Sequence, residues 1–332
     1  LRFVVGCAWC PWSRPGDGPD GADSIAGVGG AVEASIVVPA YDAADHLGRC
    51  VTSLCAQRGE TAYEIIVVVS GDEGDDLAYA DRLPDDPRLT VVVHRPRLSA
   101  AEGRNLGVAQ ARGDTLVFTD ADVVAQAGWL TALVTASAGQ RCVAGAVLNG
   151  TPHSWAGTTE YMVEFLDLHP ERPPETIWHG ATCNLAVPRA LWEAYGPFVD
   201  ASSAIKEVGS ADTTFTLQAS ADGRLDFCPA ARIVHMNRTG LHTVLRHQVV
   251  LGRCAAVLAR RSPTYPHRRL VTRWWAAPLV VGARWLSLWR RLLTWRIGLA
   301  PRALVLTPYL VAALAAWGKG LYQENRASAD SG

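Results

Sequence analysis

The stretch Thr115-Leu116-Val117-Phe118-Thr119-Asp120-Ala121-Asp122-Val123 decides the fold class. Leu116, Val117 and Phe118 form a short apolar run, which predicts a buried strand. Two carboxylates one residue apart at its carboxyl end stand where open α/β sheets place their ligands. An acidic pair there can hold a divalent cation against a diphosphate. Aspartates also cap strands and make turns, and on these residues alone the two readings weigh the same.

Working outward, Ala34-Ser-Ile-Val-Val-Pro39 predicts a strand ended by proline. Ala43 to Gln57 has helical spacing, with Leu47, Val51, Leu54 and Cys55 on one side. Glu64 to Val69 is nearly continuous in β-branched residues, as in a parallel sheet covered on both faces. Gly71 to Asp76 is its exit loop, and Leu89 to Val93 is a further strand. Ser99 to Ala111 predicts a helix with Ser99 as cap and Glu102 at the third helical position. Trp129 to Ala136 starts the next helix. This order predicts an α/β fold with an open, mostly parallel sheet. After Val147 the rhythm loosens. Expected there are a short helix near Glu160–Leu166, a strand at Leu185–Pro188, a helix over Asp212–Ala219 and an extended segment at Arg232–Met236.

The chain has 332 residues and a formal net charge of −1, which conceals an asymmetry. Residues 1–226 hold 30 acidic and 15 basic side chains, whereas residues 227–323 hold no Asp or Glu, 14 Arg and Lys319. Six of the 12 Trp residues fall in that basic part, among long apolar runs. Arg mixed with Trp and Leu suits the surface of an anionic bilayer. Nucleic acid would not require so much apolar content between the charges. The cysteines read as buried thiols, and Cys7 and Cys10 form a lone pair with no second pair at zinc spacing. Residues 13–30 read as a flexible lead-in, and no signal peptide is expected.

The tail from about 241 to 320 is expected to be helical. Arg284 interrupts its first apolar stretch, and Pro278 is expected to kink it. Ala303 to Trp317 would reach only about 23 Å as a helix, against about 30 Å of hydrocarbon, so an interfacial or re-entrant helix competes with a full span. Arg268, Arg269, Arg273, Arg290 and Arg291 are expected to meet headgroups, with Trp274, Trp275, Trp285 and Trp289 as interfacial anchors.

Several motifs together resemble the family 2 glycosyltransferases, which have a GT-A fold. They are Ser35-Ile-Val-Val-Pro-Ala-Tyr-Asp42, Leu47 to Gln57, Glu64-Ile-Ile-Val-Val68 and Ala101-Glu-Gly-Arg-Asn-Leu-Gly107. Ala111-Arg-Gly-Asp114, Phe118-Thr-Asp-Ala-Asp-Val123, Gly180 to Arg189, Gly196-Pro-Phe-Val-Asp200 and Ala211-Asp212 complete the set. The resemblance covers roughly residues 33–238. It implies a GT-A catalytic domain at 33–238, and composition and charge then divide the rest into a lead-in at 1–32, a helical membrane-associating region at 239–322 and a polar tail at 323–332.

The resemblance also implies an inverting transfer of a sugar from a nucleotide diphosphate donor. Pro39, Ala40 and Tyr41 would line the nucleotide pocket, with Tyr41 stacked on the base or merely capping the sheet. Arg104 and Asn105 resemble the family's nucleotide-side pair; for Arg104 an ion pair with a nearby acid is the alternative. Asp120 would lie near the ribose, and Asp122 would bind Mg2+ or Mn2+. His235 resembles a family histidine that joins the metal, or it is an ordinary strand-end histidine. Asp212 would be the general base, or a helix cap. Asn184 would hold a sugar hydroxyl, and Trp178 and His179 would wall the donor or acceptor. The family commonly has two acids after the Glu64–Val68 strand, where this chain has Val69 and Ser70. The base contact then falls to Ser70, the backbone or Asp72, and UDP-, GDP- and dTDP-linked donors stay open.

The processive Gln-x-x-Arg-Trp motif is absent, which favours a single transfer. The expected acceptor is a hydroxyl compound, lipid- or polyprenyl-linked or otherwise close to the membrane. The expected place is the cytoplasmic face of an anionic membrane, with nucleic acid excluded and a homo-oligomer allowed. A soluble small-molecule or peptide acceptor is the alternative, and an inactive nucleotide-sugar-binding scaffold is the rival of another class. A dinucleotide oxidoreductase is disfavoured, because Pro39 occupies the first turn and no Gly-x-Gly-x-x-Gly follows it.

Overall fold

A computed structural model describes residues 2–5, 31–199 and 211–330. The elements run β1 (Arg2–Val5), β2 (Ala34–Ala40), α1 (Leu47–Cys55), β3 (Tyr63–Ser70), β4 (Leu89–His94), α2 (Ala100–Gln110), β5 (Thr115–Thr119), β6 (Val123–Ala125), α3 (Trp129–Ala136) and β7 (Cys142–Asn149). They continue with α4 (Trp155–Glu164), β8 (Asn184–Pro188), α5 (Arg189–Tyr195), α6 (Ala211–Ala221), β9 (Leu225–His235) and α7 (Leu241–Arg261). The outer helices are α8 (Arg268–Val271), α9 (Ala277–Trp295), α10 (Ala300–Val305) and α11 (Thr307–Asp330).

The strands form one mixed sheet in the order β1-β4-β3-β2-β5-β8-β7-β9-β6. The half from β1 to β5 is parallel, as the β-branched runs predict. Beyond β5 the sheet turns antiparallel through β8, and β6 pairs antiparallel with β9 at the far edge. Ile36, Val37, Val38, Ile65, Val67, Leu116, Val117 and Phe118 are wholly buried. The helix α2 starts with the predicted capping box: Ser99 accepts from the Glu102 amide while Glu102 accepts from the Ser99 amide.

Three elements differ from expectation. β7 is rich in Ala and Gly, so it carries little intrinsic strand preference; pairing with β8 and β9 makes it a strand. β6 is too short to show a period, yet its pairing brings Val123 opposite His235. Of the expected Arg232–Met236 segment, Arg232 to His235 is the end of a longer strand that starts at Leu225, and Met236 lies just beyond it. Within the predicted lead-in at 1–32, Arg2–Val5 is strand β1, paired with β4, whereas residues 6–30, with Cys7 and Cys10, lie outside the described residues.

The tail is helical but arranged differently from the reading above. Pro278 sits in the first turn of α9, where its missing N–H costs nothing, and so begins the helix rather than kinking it. The helix α11 continues through the polar residues to Asp330. It packs on α7 at backbone distance: a side-chain carbon at Gly252 would collide with the Trp317 carbonyl, and one at Gly320 with the Val249 carbonyl. Part of the basic charge turns inward onto the acidic body. Arg238 pairs with Glu160 at 2.6 Å, His247 lies 3.4 Å from Glu164 and Arg291 pairs with Asp167 at 2.5 Å. Arg291 therefore does not face headgroups, and Trp285 and Trp289 are half-buried against the core. Arg268, Arg269, Arg273 and Arg290 are exposed.

Candidate active site

The carboxyl ends of β2, β3 and β5 open into a cavity of about 330 Å³. Pro39, Ala40, Tyr41, Ser70, Arg104, Asp120 and Asp122 all line it. Strand ends gather there because the parallel half of the sheet points all its carboxyl ends one way. The guanidinium of Arg97 lies 3.8 Å from the centre of the Tyr41 ring, a cation–π contact that fixes one face of the ring. Ser70 is buried, and its hydroxyl accepts from the Leu98 amide at 3.2 Å. Val69, at the other departure from the family pattern, is fully buried and offers no polar group. Asp72 does not line the cavity: its carboxylate accepts from the Arg97 amide at 3.1 Å and braces the loop.

Arg104 projects from α2 and donates to Asp120 Oδ1 at 2.5 Å. The ion pair weighed for Arg104 is therefore present, and its partner is Asp120, while Glu102 serves the helix cap. The Nε of Arg104 is sealed from solvent without an acceptor. Asp122 is half-buried beside it. Burial pushes the Asp122 carboxyl above its ordinary value and the Asp120 charge adds to this, although His235 pulls the other way. Oδ1 of Asp122 is sealed and has no hydrogen-bond donor; His235 Nε2 stands 3.6 Å away. The other ring nitrogen of His235 faces Asn237 Oδ1 at 3.2 Å. A proton on that Nδ1 leaves the Nε2 lone pair pointed at Asp122, the orientation of a metal-binding imidazole.

Ligand atoms of Asp120, Asp122 and His235 lie within 4.8 Å of one another. Two carboxylates and one imidazole suit a divalent cation of the Mn2+ or Mg2+ kind, and the orphaned Oδ1 is the atom such an ion would satisfy. The donors thus fit the metal that the acidic pair suggests. A second group, Glu160, Glu164 and His247, meets the same distance test. Its acids are already engaged, Glu160 by Arg238 and Glu164 by Gln248 at 2.5 Å.

A second cavity of about 410 Å³ adjoins the first and shares Arg104, Asp120, Asp122 and Arg238 with it. Trp178, His179, His235 and Thr213 line it. The ring of His179 meets the Thr213 hydroxyl at 3.2 Å. Asp212 lies on the first turn of α6, next to Thr213, and its side chain lies outside the described residues.

Two expected site residues stand elsewhere. Asn105 is turned away: its amide donates to the Phe198 carbonyl at 2.8 Å and accepts from the Phe198 amide at 3.0 Å. Both ends of the side chain are spent on backbone, so it fastens a loop rather than a nucleotide. Asn184 is fully buried and reaches neither cavity. It donates to the Ala146 and Ala231 carbonyls and accepts from Trp129 Nε1. Both amide N–H donors are used within the core, and the side chain is closed off from either cavity. Conversely, Arg97, Arg238, His247, Arg284 and Arg291 line the cavities without a motif to announce them; each comes from an element joined to the site only by folding.

Residues 35–180 match the glycosyl transferase family 2. A pre-mycofactocin glycosyltransferase of Mycobacterium tuberculosis is 28% identical over 297 residues, covering 83% of this chain and 54% of its own. An uncharacterized glycosyltransferase of Bacillus subtilis is 32% identical over 94 residues, 28% of this chain and 24% of its own. The chain thus spans at most about half the length of these curated relatives. Among solved structures, a mannosyltransferase of Pyrobaculum calidifontis in complex with GDP-Man and Mn2+ superposes with a TM-score of 0.57 at 19% identity, over 88% of each chain. GalNAc-T7 with UDP, GalNAc and Mn2+ gives 0.50 at 15% identity, over 70% of this chain and 51% of its own. The chain thus shares the fold of these solved glycosyltransferases, and its segment from β2 through α4 is similar in sequence to glycosyl transferase family 2.

Proposed function

We propose that the chain moves one sugar from a nucleotide diphosphate donor to a hydroxyl acceptor, with inversion at the anomeric carbon. The observation that carries this reading is the Asp120, Asp122 and His235 group standing on the border of two adjoining cavities. The smaller cavity, with Tyr41, Ser70 and Arg97, takes the nucleotide, and Ser70 in place of an acid supplies the base contact. The larger cavity takes the acceptor. Asp120 and Asp122, with His235, hold the Mn2+ or Mg2+, which when bound supplies positive charge to the departing diphosphate.

The chain's own groups do the rest. Arg104 fixes the Asp120 carboxylate, so the acidic pair does not need to reorganise when the donor arrives. Asp212 takes the proton of the acceptor hydroxyl; support comes from Thr213, its neighbour, which lines the acceptor cavity with Asp122. The acceptor oxygen bonds to the anomeric carbon as the bond to the diphosphate oxygen breaks on the opposite face, which inverts the centre. Trp178 and His179 wall the acceptor side. The test is Mn2+-dependent release of nucleoside diphosphate from a panel of nucleotide sugars. Asp122→Ala is expected to lower that rate about a hundredfold or more. Full activity in D122A, or release indifferent to metal removal, would refute the reading.

We also propose that the tail rests on an anionic membrane, so that a lipid-linked or membrane-proximal acceptor reaches the larger cavity. On α9 the usual pattern is inverted: Leu279, Leu286 and Leu293 are 63%, 70% and 58% exposed, while Arg284 and Arg291 face the cavity. Exposed Arg269, Arg273 and Arg290 complement anionic headgroups. Among the described residues no single helix is long and apolar enough to cross a membrane; Ile297–Val305 and Thr307–Asp330 pass together but are bent by 84°. Flotation with phosphatidylglycerol vesicles checks this. Replacing the three leucines by Ser is expected to weaken binding about a hundredfold, at roughly 1 kcal/mol each. A chain that ignores such vesicles would refute it.

A further inference from the structure

In the larger cavity one guanidinium, that of Arg284, has no carboxylate at ion-pair distance among the described residues. Arg284 and Arg291 are seven residues apart on α9, two helical turns, and both line this cavity. Arg291 has its carboxylate, Asp167 at 2.5 Å. Arg284 has none among the described residues. Its Nη2 donates to the Val163 carbonyl at a long 3.3 Å, its guanidinium lies 4.4 Å from the centre of the Trp317 ring, and its Nε is sealed without an acceptor. Burial pushes the Arg284 guanidinium below its ordinary value, and Tyr265, Asp167 and Glu164 do not offset it. Arg238, on the same cavity, behaves oppositely: burial also lowers it, but Glu160, Glu164 and Asp122 together raise it above its ordinary value.

A guanidinium withdrawn from solvent without a paired carboxylate costs stability, and a forked donor of this kind matches carboxylate or phosphate. The lining of the same cavity also includes the apolar and aromatic side chains of Trp178, Leu251, Leu258 and Tyr265. We infer that the acceptor carries, besides its reacting hydroxyl, an anionic group on an apolar body. Arg284 binds the carboxylate or phosphate, and Trp178, Tyr265 and Leu258 take the apolar body. This rests on the reading of the larger cavity as the acceptor side. It explains why a helix should turn arginines inward and leucines outward.

The test uses the full chain with decyl phosphate, decanoate, decanol and inorganic phosphate, each below its aggregation limit, with binding read by calorimetry. The two anionic amphiphiles are expected to bind about tenfold or more tightly than decanol. Arg284→Met is expected to erase that preference and Arg284→Lys to keep part of it, which separates the cavity from the leucine face outside. Without ligand, R284M is expected to melt no lower than the unaltered chain, because an apolar isostere replaces an unpaired charge. Equal binding of decanol and decyl phosphate, a preference that survives in R284M, or an R284M chain that fails to fold would each overturn the inference. So would inorganic phosphate binding as tightly as decyl phosphate, since the apolar wall would then contribute nothing. Metal-dependent donor turnover by the unaltered chain is scored separately. Its absence beside intact selectivity would sink the transferase reading alone, and the reverse pattern would sink only the anion site.

Discussion

Asn184→Ala separates the role suggested by sequence from the one the fold assigns. In sequence the residue stands where a sugar-binding amide was expected; in the structure it is a strut between three core elements. Its removal leaves the Trp129 indole N–H without an acceptor inside the core, at about 1–3 kcal/mol. The Ala146 and Ala231 carbonyls each lose a donor, at about 1 kcal/mol apiece. Together the loss is about 3–5 kcal/mol, which lowers the melting midpoint by about 10 °C for a domain of this size. Gly145→Ala should behave alike, since a side-chain carbon there collides with Asn184 Nδ2 and comes 2.5 Å from the Ala231 carbonyl. The assay is thermal unfolding, paired with nucleotide-sugar binding well below both transitions. Binding by the folded N184A chain is expected to match the unaltered protein. An unchanged midpoint with weakened nucleotide-sugar binding would show that the amide faces ligand, and would refute this account.

Gly320→Ala is expected to destabilise by about 3 kcal/mol, the upper end for overpacking, because the added carbon meets the Val249 backbone rather than a movable side chain. Urea unfolding measures it, and an unchanged midpoint would mean that α7 and α11 are not held this close. Asp86 is bound by Arg88 through hydrogen bonds of 2.9 and 2.7 Å, which hold its carboxyl down to about 2. A depressed folded value gives stability that is present above the unfolded value of about 3.9 and is lost as pH falls toward about 2. Asp86→Asn should therefore flatten the stability profile between about pH 4 and pH 2, as read by unfolding at a series of pH values. A profile as steep as that of the unaltered chain would show that other carboxylates carry the dependence.

The parallel half of the sheet was legible because its residues obey local rules. The β-branched runs of β2, β3 and β4, the capping box at Ser99 and the acidic pair after Phe118 each declare themselves within a few neighbours. The antiparallel half was less so. β7 is made of small residues whose strand conformation comes from the partners on either side. Asn105 and Asn184 fell on motif positions, yet motif position does not reveal where an amide's hydrogen bonds go. The basic tail announced an interface, but not that Arg238 and Arg291 would be drawn onto Glu160 and Asp167.

By itself the chain's order of residues determined the strand–helix alternation and the placing of Asp120 and Asp122 at a strand's carboxyl end, since both follow from periods and spacings of a few residues. Only the tertiary structure decided that His235 joins them, that Asn184 is spent in the core and that Arg284 lines a cavity with no carboxylate at ion-pair distance among the described residues. Those facts depend on pairings between segments far apart in the chain. Burial and hydrogen-bond satisfaction, rather than local preference, select such pairings.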